Sequence, residues 1–508
     1  MTEKKRQNNS LILFAVLLAV FVVPSSISGT AIALPYISSH IEADLSSLQW
    51  VVNAFNLTFA CFTLVWGKIS DVFGRKKSFL LGAFIYTVAS VGSAVSQTAI
   101  MLDIFRGLAG IGGAAIFACG SAIFIHVFDG HQRTKAFALF GTTAGLGITL
   151  GPTISGLLLD SIGWQAIFAM HAIALFLVLL VSGAIPSDKG HNGTFKQIDL
   201  LGSVLFIGSI FVWMLALSKG YEWGWHSKEI LICVIGGAIA FVAFVVRVKS
   251  AEHPVLNIEL LRNYRFFGLI LVPVVASFTF VTLLTYFPTY LTGSMQLSAS
   301  NAGLIMLFLT APVLVFPLIA GKLSSKGVNT NLLMYLSALA MLVGAALLIT
   351  IIKDGLPLVG IAVGLVLIGI GMGMSAGLVD GQALSCVKET EVGMAAGLLN
   401  TFRLGSEAIA VAVYGSILSS TVSKIVPTAL QGNNAMTNES WVNAISSGNF
   451  SQFSSDSNLM EKLASIYNQA FISTNMTLTA IAVVVTALVV LYLNRDARSS
   501  FQGEANKL

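Results

Sequence analysis

The strongest constraint on this chain is a series of long apolar runs, at about residues 11–35, 49–66, 78–97, 99–125, 135–159, 165–185, 199–217, 229–246, 266–291, 302–320, 331–352, 356–384, 393–419 and 470–493. A helix needs about 20 apolar residues to cross the hydrocarbon core of a bilayer. Inside that core a backbone must satisfy its own hydrogen bonds, so runs of this length are read as helices. The pattern therefore predicts an all-α polytopic membrane protein with fourteen spans. Composition excludes the soluble alternative: 56% of residues are hydrophobic, 10% are charged, and the mean hydropathy is +0.85, far from any soluble class.

A net charge of +5 raises the question of nucleic acid, and the placement of the charges answers it. With the N-terminus inside, about 21 of the 28 Lys and Arg fall on the cytoplasmic side, about 5 outside and 2 within spans, which is the positive-inside bias. The basic residues report topology, with both termini cytoplasmic in a cell membrane. The run at 11–35 follows Lys4, Lys5 and Arg6 but is longer than a signal-peptide core and precedes many more spans, so it is read as helix 1. Cys61, Cys119, Cys233 and Cys386 have no metal-ligand or disulfide spacing. No cofactor is expected, and no G-x-x-x-x-G-K-[ST] phosphate loop occurs.

The link between the second and third runs, Gly67-Lys68-Ile69-Ser70-Asp71-Val72-Phe73-Gly74-Arg75-Lys76-Lys77, packs glycine and charge into a tight loop at one membrane face. Gly67 and Gly74 allow close backbone approach and positive φ. Asp71 can face the positive end of a neighbouring helix, and Arg75, Lys76 and Lys77 hold the loop on the cytoplasmic side. Alone, this is a basic turn. The full pattern G-x-x-x-D-x-x-G-R-[KR]-[KR] resembles the loop 2 to 3 signature of the major facilitator superfamily, matched at every fixed position.

Further segments resemble the fourteen-helix drug:proton antiporters of that superfamily. In helix 1, Pro24 and Gly29 loosen the helix, and Ser25, Ser26 and Thr30 put hydroxyls at membrane depth, as suits a cavity wall. Aligned on Ala33-Leu34-Pro35, the branch pattern L-D-x-T-x-x-N-x-A-L-P puts its membrane aspartate at Ser26, which departs from it. Trp50, Asn53 and Asn56 follow at helical intervals in helix 2; Trp50 is either an interfacial anchor or part of the substrate cavity. Helix 4 carries Arg106 followed by Gly110, Gly112 and Ala114, similar to the superfamily's R-x-x-x-G-x-G-x-A. A guanidinium in lipid costs at least about 2.5–3.5 kcal/mol, so Arg106 must face the bundle interior, with Asp103 as its nearest partner in sequence. That pair is either structural or part of proton coupling. Gly147, Gly151, Pro152 and Gly156 in helix 5 resemble the superfamily's antiporter motif, a smooth face for helix contact with a proline bend.

In the C-terminal half, Gly321-Lys-Leu-Ser-Ser-Lys-Gly327 lies after the second span as the Gly67 link does in the first half, so the halves look duplicated. Helix 12 has Gly369, Gly373, Gly377 and Gly381 at four-residue spacing, read as one continuous smooth face, with Asp380 near its end. Helix 13 holds Asn400, Arg403 and Glu407. With serine at position 26, Glu407 is the first candidate for the coupling proton and Asp380 the second. Arg403, four residues before Glu407, shares its face, and a permanent ion pair between them is the competing reading. Residues 420–469 are polar and read as a long external loop, partly disordered.

The expected organisation is a major facilitator fold: residues 1–186 as an N-terminal six-helix bundle, 187–250 as a linker with two extra helices, and 251–508 as a C-terminal six-helix bundle. The resemblance implies a secondary active transporter, not an enzyme, that exports amphipathic compounds, cationic ones among them, in exchange for protons. It also implies a monomer, a cytoplasmic gate at Gly67, Asp71, Gly74, Arg75 and Lys76, and a cavity that includes Asn400. A dedicated exporter of one endogenous metabolite, such as a siderophore or a lipid-like compound, is the alternative in the same fold. A membrane receptor or enzyme has less support, because the sequence shows no appended soluble domain and no catalytic cluster.

Overall fold

The computed structural model describes residues 3–41, 50–186, 194, 197–297, 299–353, 358–429, 438–446 and 457–505. Among these, all regular structure is helical, and fourteen helices are long and apolar enough to cross a membrane. They are α1 (Glu3–Ile41), α2 (Trp50–Phe73), α3 (Arg75–Ala94), α4 (Ala99–Val127), α5 (Gly130–Ser161), α6 (Gln165–Leu180), α7 (Leu200–Trp223) and α8 (Lys228–Ser250), followed by α9 (Tyr264–Ser294), α10 (Ala299–Ser325), α11 (Thr330–Lys353), α12 (Leu358–Ser375 with Leu378–Ser385), α13 (Val392–Ala429) and α14 (Ser457–Ala505). Each corresponds to one apolar run of the sequence. Side chains cap several starts: Thr98 accepts from Met101 N at α4, Asp199 from Gly202 N at α7 and Ser227 from Ile230 N at α8, each satisfying an N–H that has no partner within its helix.

Helices α1–α6 pack together around α4, which touches α2 and α3, while α1 lies along α5 and α3 along α6. Helices α9–α14 form the second bundle, with α12 against α10 and α11, and α14 against α9, α11 and α13. The bundles meet where α2 packs on α13 and α5 on α10. The hairpin of α7 and α8 lies over the seam between α2 and α13, touching both through α7. Asp199 Oδ1 accepts from Gly202 N and from Arg247 Nε, both at 3.0 Å, which locks that hairpin at one end. Helix α8 displays Ile232, Ile235, Ile239, Val242 and Val246 outward, an apolar row that calls for lipid rather than water.

Three elements differ from the sequence reading. Residues 67–73 are not loop: α2 continues to Phe73 and α3 begins at Arg75, leaving Gly74 alone between them at φ 101°. Gly327, after α10, has φ 90° in the corresponding link of the second half. The four glycines of α12 do not sit on one unbroken helix, because the chain breaks at Gly377, φ 74°, where a Cβ would collide with the Phe137 carbonyl of α5. The segment 420–469 is shorter as a link than its polarity suggests, since α13 runs on to Ala429 and α14 begins at Ser457. A helix at Asn438–Ser446 between them buries Trp441 and Ile445. Residues 187–193 and 195–196 of the link between α6 and α7, and 430–437 and 447–456 after α13, lie outside the described residues.

Candidate functional site

The end of the molecule that carries the α2–α3 link is rich in Lys and Arg, and it is here called the basic end. There α2 meets the first turn of α13. Gly67 lies so close to the Gly393 carbonyl that a Cβ would collide with it, and Gly397 sits equally close to Thr63 and Leu64. This approach brings the Asp71 carboxylate onto α13: Oδ1 accepts from Gly393 N at 2.9 Å and Oδ2 from Met394 N at 2.8 Å. The N–H groups at a helix start lack internal acceptors and carry partial positive charge. Asp71 thus completes a helix that belongs to the other bundle.

Arg75, 3% exposed, serves the same junction. Its Nη2 donates to the Glu389 carbonyl at 2.5 Å, and its Nη1 lies 4.0 Å from the Glu389 carboxylate, which His126 approaches at 3.1 Å. Lys76 Nζ donates to Ile185 O at 2.6 Å, tying α3 to the end of α6. From the other side, the segment ahead of α9 holds the α12–α13 link. Asn257 Nδ2 donates to Glu391 Oε1 at 2.8 Å, and Asn257 N donates to Met394 Sδ at 3.0 Å.

Within the second bundle, the short second piece of α12 presents buried Asp380 to Arg403, whose Nη2 donates to Asp380 Oδ2 at 2.8 Å. Arg403 Nη1 donates to Asn400 Oδ1 at 2.9 Å, and Asn400 Nδ2 donates to Ala396 O at 3.0 Å. Glu407 is half-buried and has no hydrogen bond or ion pair among the described residues. The structure therefore pairs Arg403 with Asp380 rather than with Glu407. The break at Gly377 re-aims the end of α12 and makes that possible.

Within the first bundle, Arg106 makes its hydrogen bonds elsewhere than to Asp103, which stays in its electrostatic range. Its Nε donates to Val51 O at 2.9 Å and its Nη1 to Ser26 Oγ at 2.8 Å. The guanidinium carbon lies 4.5 Å from the Phe55 ring centre and 5.6 Å from that of Phe168, within cation–π range. Ser25 donates to Val22 O at 2.9 Å and lies 3.5 Å from His171 Nε2. Ser25, Ser26 and Thr30 are all buried, closed inside the bundle rather than open on a cavity. Trp50, Asn53 and Asn56 are half-buried on α2, with Lys219 Nζ of α7 5.4 Å from the Trp50 ring centre.

The α5 glycines separate by partner. A Cβ on Gly147 or Gly151 would collide with the α1 backbone at Phe21 or Ser25, whereas Gly141 and Gly145 abut α12 and α10, and Gly156 has nothing within 4 Å. Pro152 lies inside α5. The motif glycines therefore set the α1–α5 distance within one bundle, and residues further toward the basic end form the junction between bundles.

Sequence reasoning missed an aromatic cluster in the second bundle. The rings of Tyr286 and Tyr414 stack at 4.1 Å, and those of Tyr290 and Phe471 at 4.2 Å. Tyr286 Oη donates to Val411 O and Tyr290 Oη to Asn468 Oδ1, both at 3.1 Å. Two wide turns in α9, Ser277–Val281 and Tyr290–Ser294, belong to a class of irregularity frequent at functional sites. The available signal was the four-residue spacing of Tyr286 with Tyr290 and of Tyr467 with Phe471.

Fourteen helices long and apolar enough to cross a membrane, with six in each of two bundles that meet across a seam, define a polytopic membrane protein. The chain belongs to the major facilitator superfamily, whose family model matches residues 16–411. It is similar to the uncharacterized MFS-type transporter YvkA of Bacillus subtilis (strain 168), 29% identical over 424 residues, which span 82% of this chain and 90% of the relative. It is also similar to multidrug resistance protein 3 of the same organism, 27% identical over 361 residues, 70% of this chain and 69% of the relative. Among solved structures, the proton:xylose symporter XylE bound to 6-bromo-6-deoxy-D-glucose superposes with a TM-score of 0.58 at 15% identity, covering 93% of this chain and 95% of that one. At that identity the likeness is one of fold.

Proposed function

We propose that this protein exports amphipathic compounds, cationic ones among them, in exchange for protons, by alternating access across the cell membrane with both termini cytoplasmic. The observation that carries this reading is the Asp71 carboxylate seated on the α13 N-terminus. A charged, non-covalent bond between two bundles at one end is what a reversible gate needs. In this reading Gly67, Gly74, Arg75 and Lys76 hold the gate at the cytoplasmic face, and the structure is its closed form.

The relative named for multidrug resistance supports the substrate class, and Tyr286, the partly exposed ring of the stacked cluster, suits contact with a flat, amphipathic molecule. Glu407 offers one carboxylate, in turn, to a proton and to a substrate cation, which gives exchange without further machinery. Arg403, in the electrostatic range of Glu407, is itself held by Asp380. One proton moving down 100 mV supplies about 2.3 kcal/mol, enough for a roughly fifty-fold gradient.

The test is flux in proteoliposomes with a panel of dyes and an imposed pH gradient. Accumulation of several chemically unlike dyes, abolished by an uncoupler, is expected; transport of a single compound would favour the dedicated exporter. Glu407→Gln is expected to bind dye and to lose accumulation driven by the gradient. A variant that still concentrates dye would pass the proton to Asp380 or Asp103.

A further inference from the structure

The basic end carries one titratable side chain to which the gate reading assigns no part. His126, in the last turn of α4, reaches across the junction and sets Nδ1 3.1 Å from Glu389 Oε1, in the α12–α13 link of the other bundle. Histidine is the side chain whose charge ordinarily changes between pH 5 and 8. A neutral ring can donate one hydrogen bond to that carboxylate, and a protonated ring adds a full charge to the bond. The contact is therefore stronger in acid. Because it spans the two bundles, opening the basic end breaks it.

Both partners are held in place beforehand, so pairing them orders little more of the chain. Arg133 Nη2 donates to Ile125 O at 2.9 Å and its Nε to Phe128 O at 2.8 Å, which fixes the turn that carries His126. Across the junction, Arg75 fixes the Glu389 turn by its bond to the Glu389 carbonyl. Among the described residues, the charges at this corner come from several elements. Helix α2 brings Lys68 and Asp71, α3 brings Arg75, α5 brings Arg133, the α4–α5 link brings Asp129, and the α12–α13 link brings Glu389 and Glu391. The two arginines repel an imidazolium, but each has a second carboxylate: Arg133 pairs with Asp129 at 3.1 Å, and Arg75 acts on Asp71 as well as on Glu389. Asp380 of α12 is taken by Arg403, and Lys77, His131, Lys135 and Lys388 are exposed. Glu389 is left as the counter-charge that His126 meets.

We propose that His126 is a pH-sensitive latch: protonated, it pairs with Glu389 and holds the basic end closed; neutral, it loosens that hold. The latch rests on the reading of this end as the cytoplasmic gate and gives that gate a regulator. Its sign follows from linkage, since closure and proton uptake by the ring favour one another. Low pH on that side favours the closed end, and high pH the open one. An exchanger that brings a proton in with each cycle then slows as the inside acidifies, which limits its own acid load.

The full-length protein, without its native cysteines, is spin-labelled at Lys77→Cys and Lys326→Cys, exposed positions on opposite bundles at the basic end. It is placed in nanodiscs without substrate, and the distance distribution is followed between about pH 8 and about pH 5.5. The ratio of short to long distances should rise roughly two- to five-fold toward acid, the range of one exposed ion pair. The same comparison is made in Asp71→Asn, whose weakened junction keeps both distances populated. His126→Gln should lose the rise, and His126→Lys, a fixed cation, should hold the higher ratio at both ends of the range.

A rise of wild-type size in His126→Gln, or in Glu389→Gln, would place the responsible proton elsewhere and overturn the latch. A ratio that ignores pH in both junctions would overturn it too. If Asp71→Asn still lengthens the distance in that case, the gate stands and only the latch falls; if it does not, both fall.

Discussion

Asp71→Asn isolates the junction between the bundles. Asparagine has nearly the shape of aspartate, so it can still accept one N–H of α13 through its carbonyl, but it turns its amide hydrogens toward the other. The Gly393 and Met394 bonds, at 2.9 and 2.8 Å, are both made to a charged acceptor. Losing one such bond is worth about 1.5–3 kcal/mol, and losing the charge at a helix N-terminus adds about 0.3–1 kcal/mol. The closed basic end is therefore expected to lose about 2–4 kcal/mol, a shift of roughly 30- to 700-fold toward opening at 1.4 kcal/mol per tenfold. Folding should change little, because both bundles keep their own cores. Spin labels at Lys77→Cys and Thr390→Cys, both exposed positions on either side of the junction, would read the distance in a background without the four native cysteines. Wild type should show one short distance and Asp71→Asn a dominant longer one, with slowed exchange. An unchanged distance distribution, together with wild-type flux, would refute the idea that this carboxylate holds the ends together.

Gly67→Leu should open the same junction with Asp71 intact, since its Cβ would run into the Gly393 carbonyl; the spin-label distance is the check. Gly151→Leu should abolish flux and lower the thermal midpoint, because its side chain meets Ser25 and Ser28 of α1, whereas Gly156→Leu, with open space around it, should be tolerated. Equal effects of those two would show that the motif acts as a single face. Asp380→Asn can still accept from Arg403 through its amide oxygen but takes away the only carboxylate that pairs with Arg403 among the described residues, and should cost about 3 kcal/mol of stability, read as a lower midpoint. A midpoint within a degree of wild type would mean that the pair is not structural.

The fourteen spans were legible because apolar length is a one-dimensional property that lipid enforces residue by residue. The contact of Asp71 with a helix start was legible in kind, since a carboxylate beside glycines at a helix end has few other uses. The identity of that helix was not, because Gly393 and Met394 lie more than three hundred residues away and nothing local points to them. Local spacing misled where tertiary contact decides. Asp103 is one turn from Arg106, yet the guanidinium reaches across to Ser26 on α1. Arg403 is one turn from Glu407, yet Gly377 breaks α12 and delivers Asp380 instead. Glycines at intervals of four look alike along a helix, and only the packing separates Gly151, pressed on α1, from Gly156, which touches nothing.

Asp71 grips main-chain N–H groups, and this makes the two sides of the junction unequal under mutation. Every residue type except proline carries that N–H, so positions 393 and 394 keep the donors through most side-chain changes, although the close approach of Gly67 restricts size at 393. On the α2 side a single nucleotide change that removes the carboxylate loses the charge and at least one of the two bonds. Side chains at the start of α13 can therefore change with the fastening intact, whereas at position 71 the fastening depends on the side chain itself.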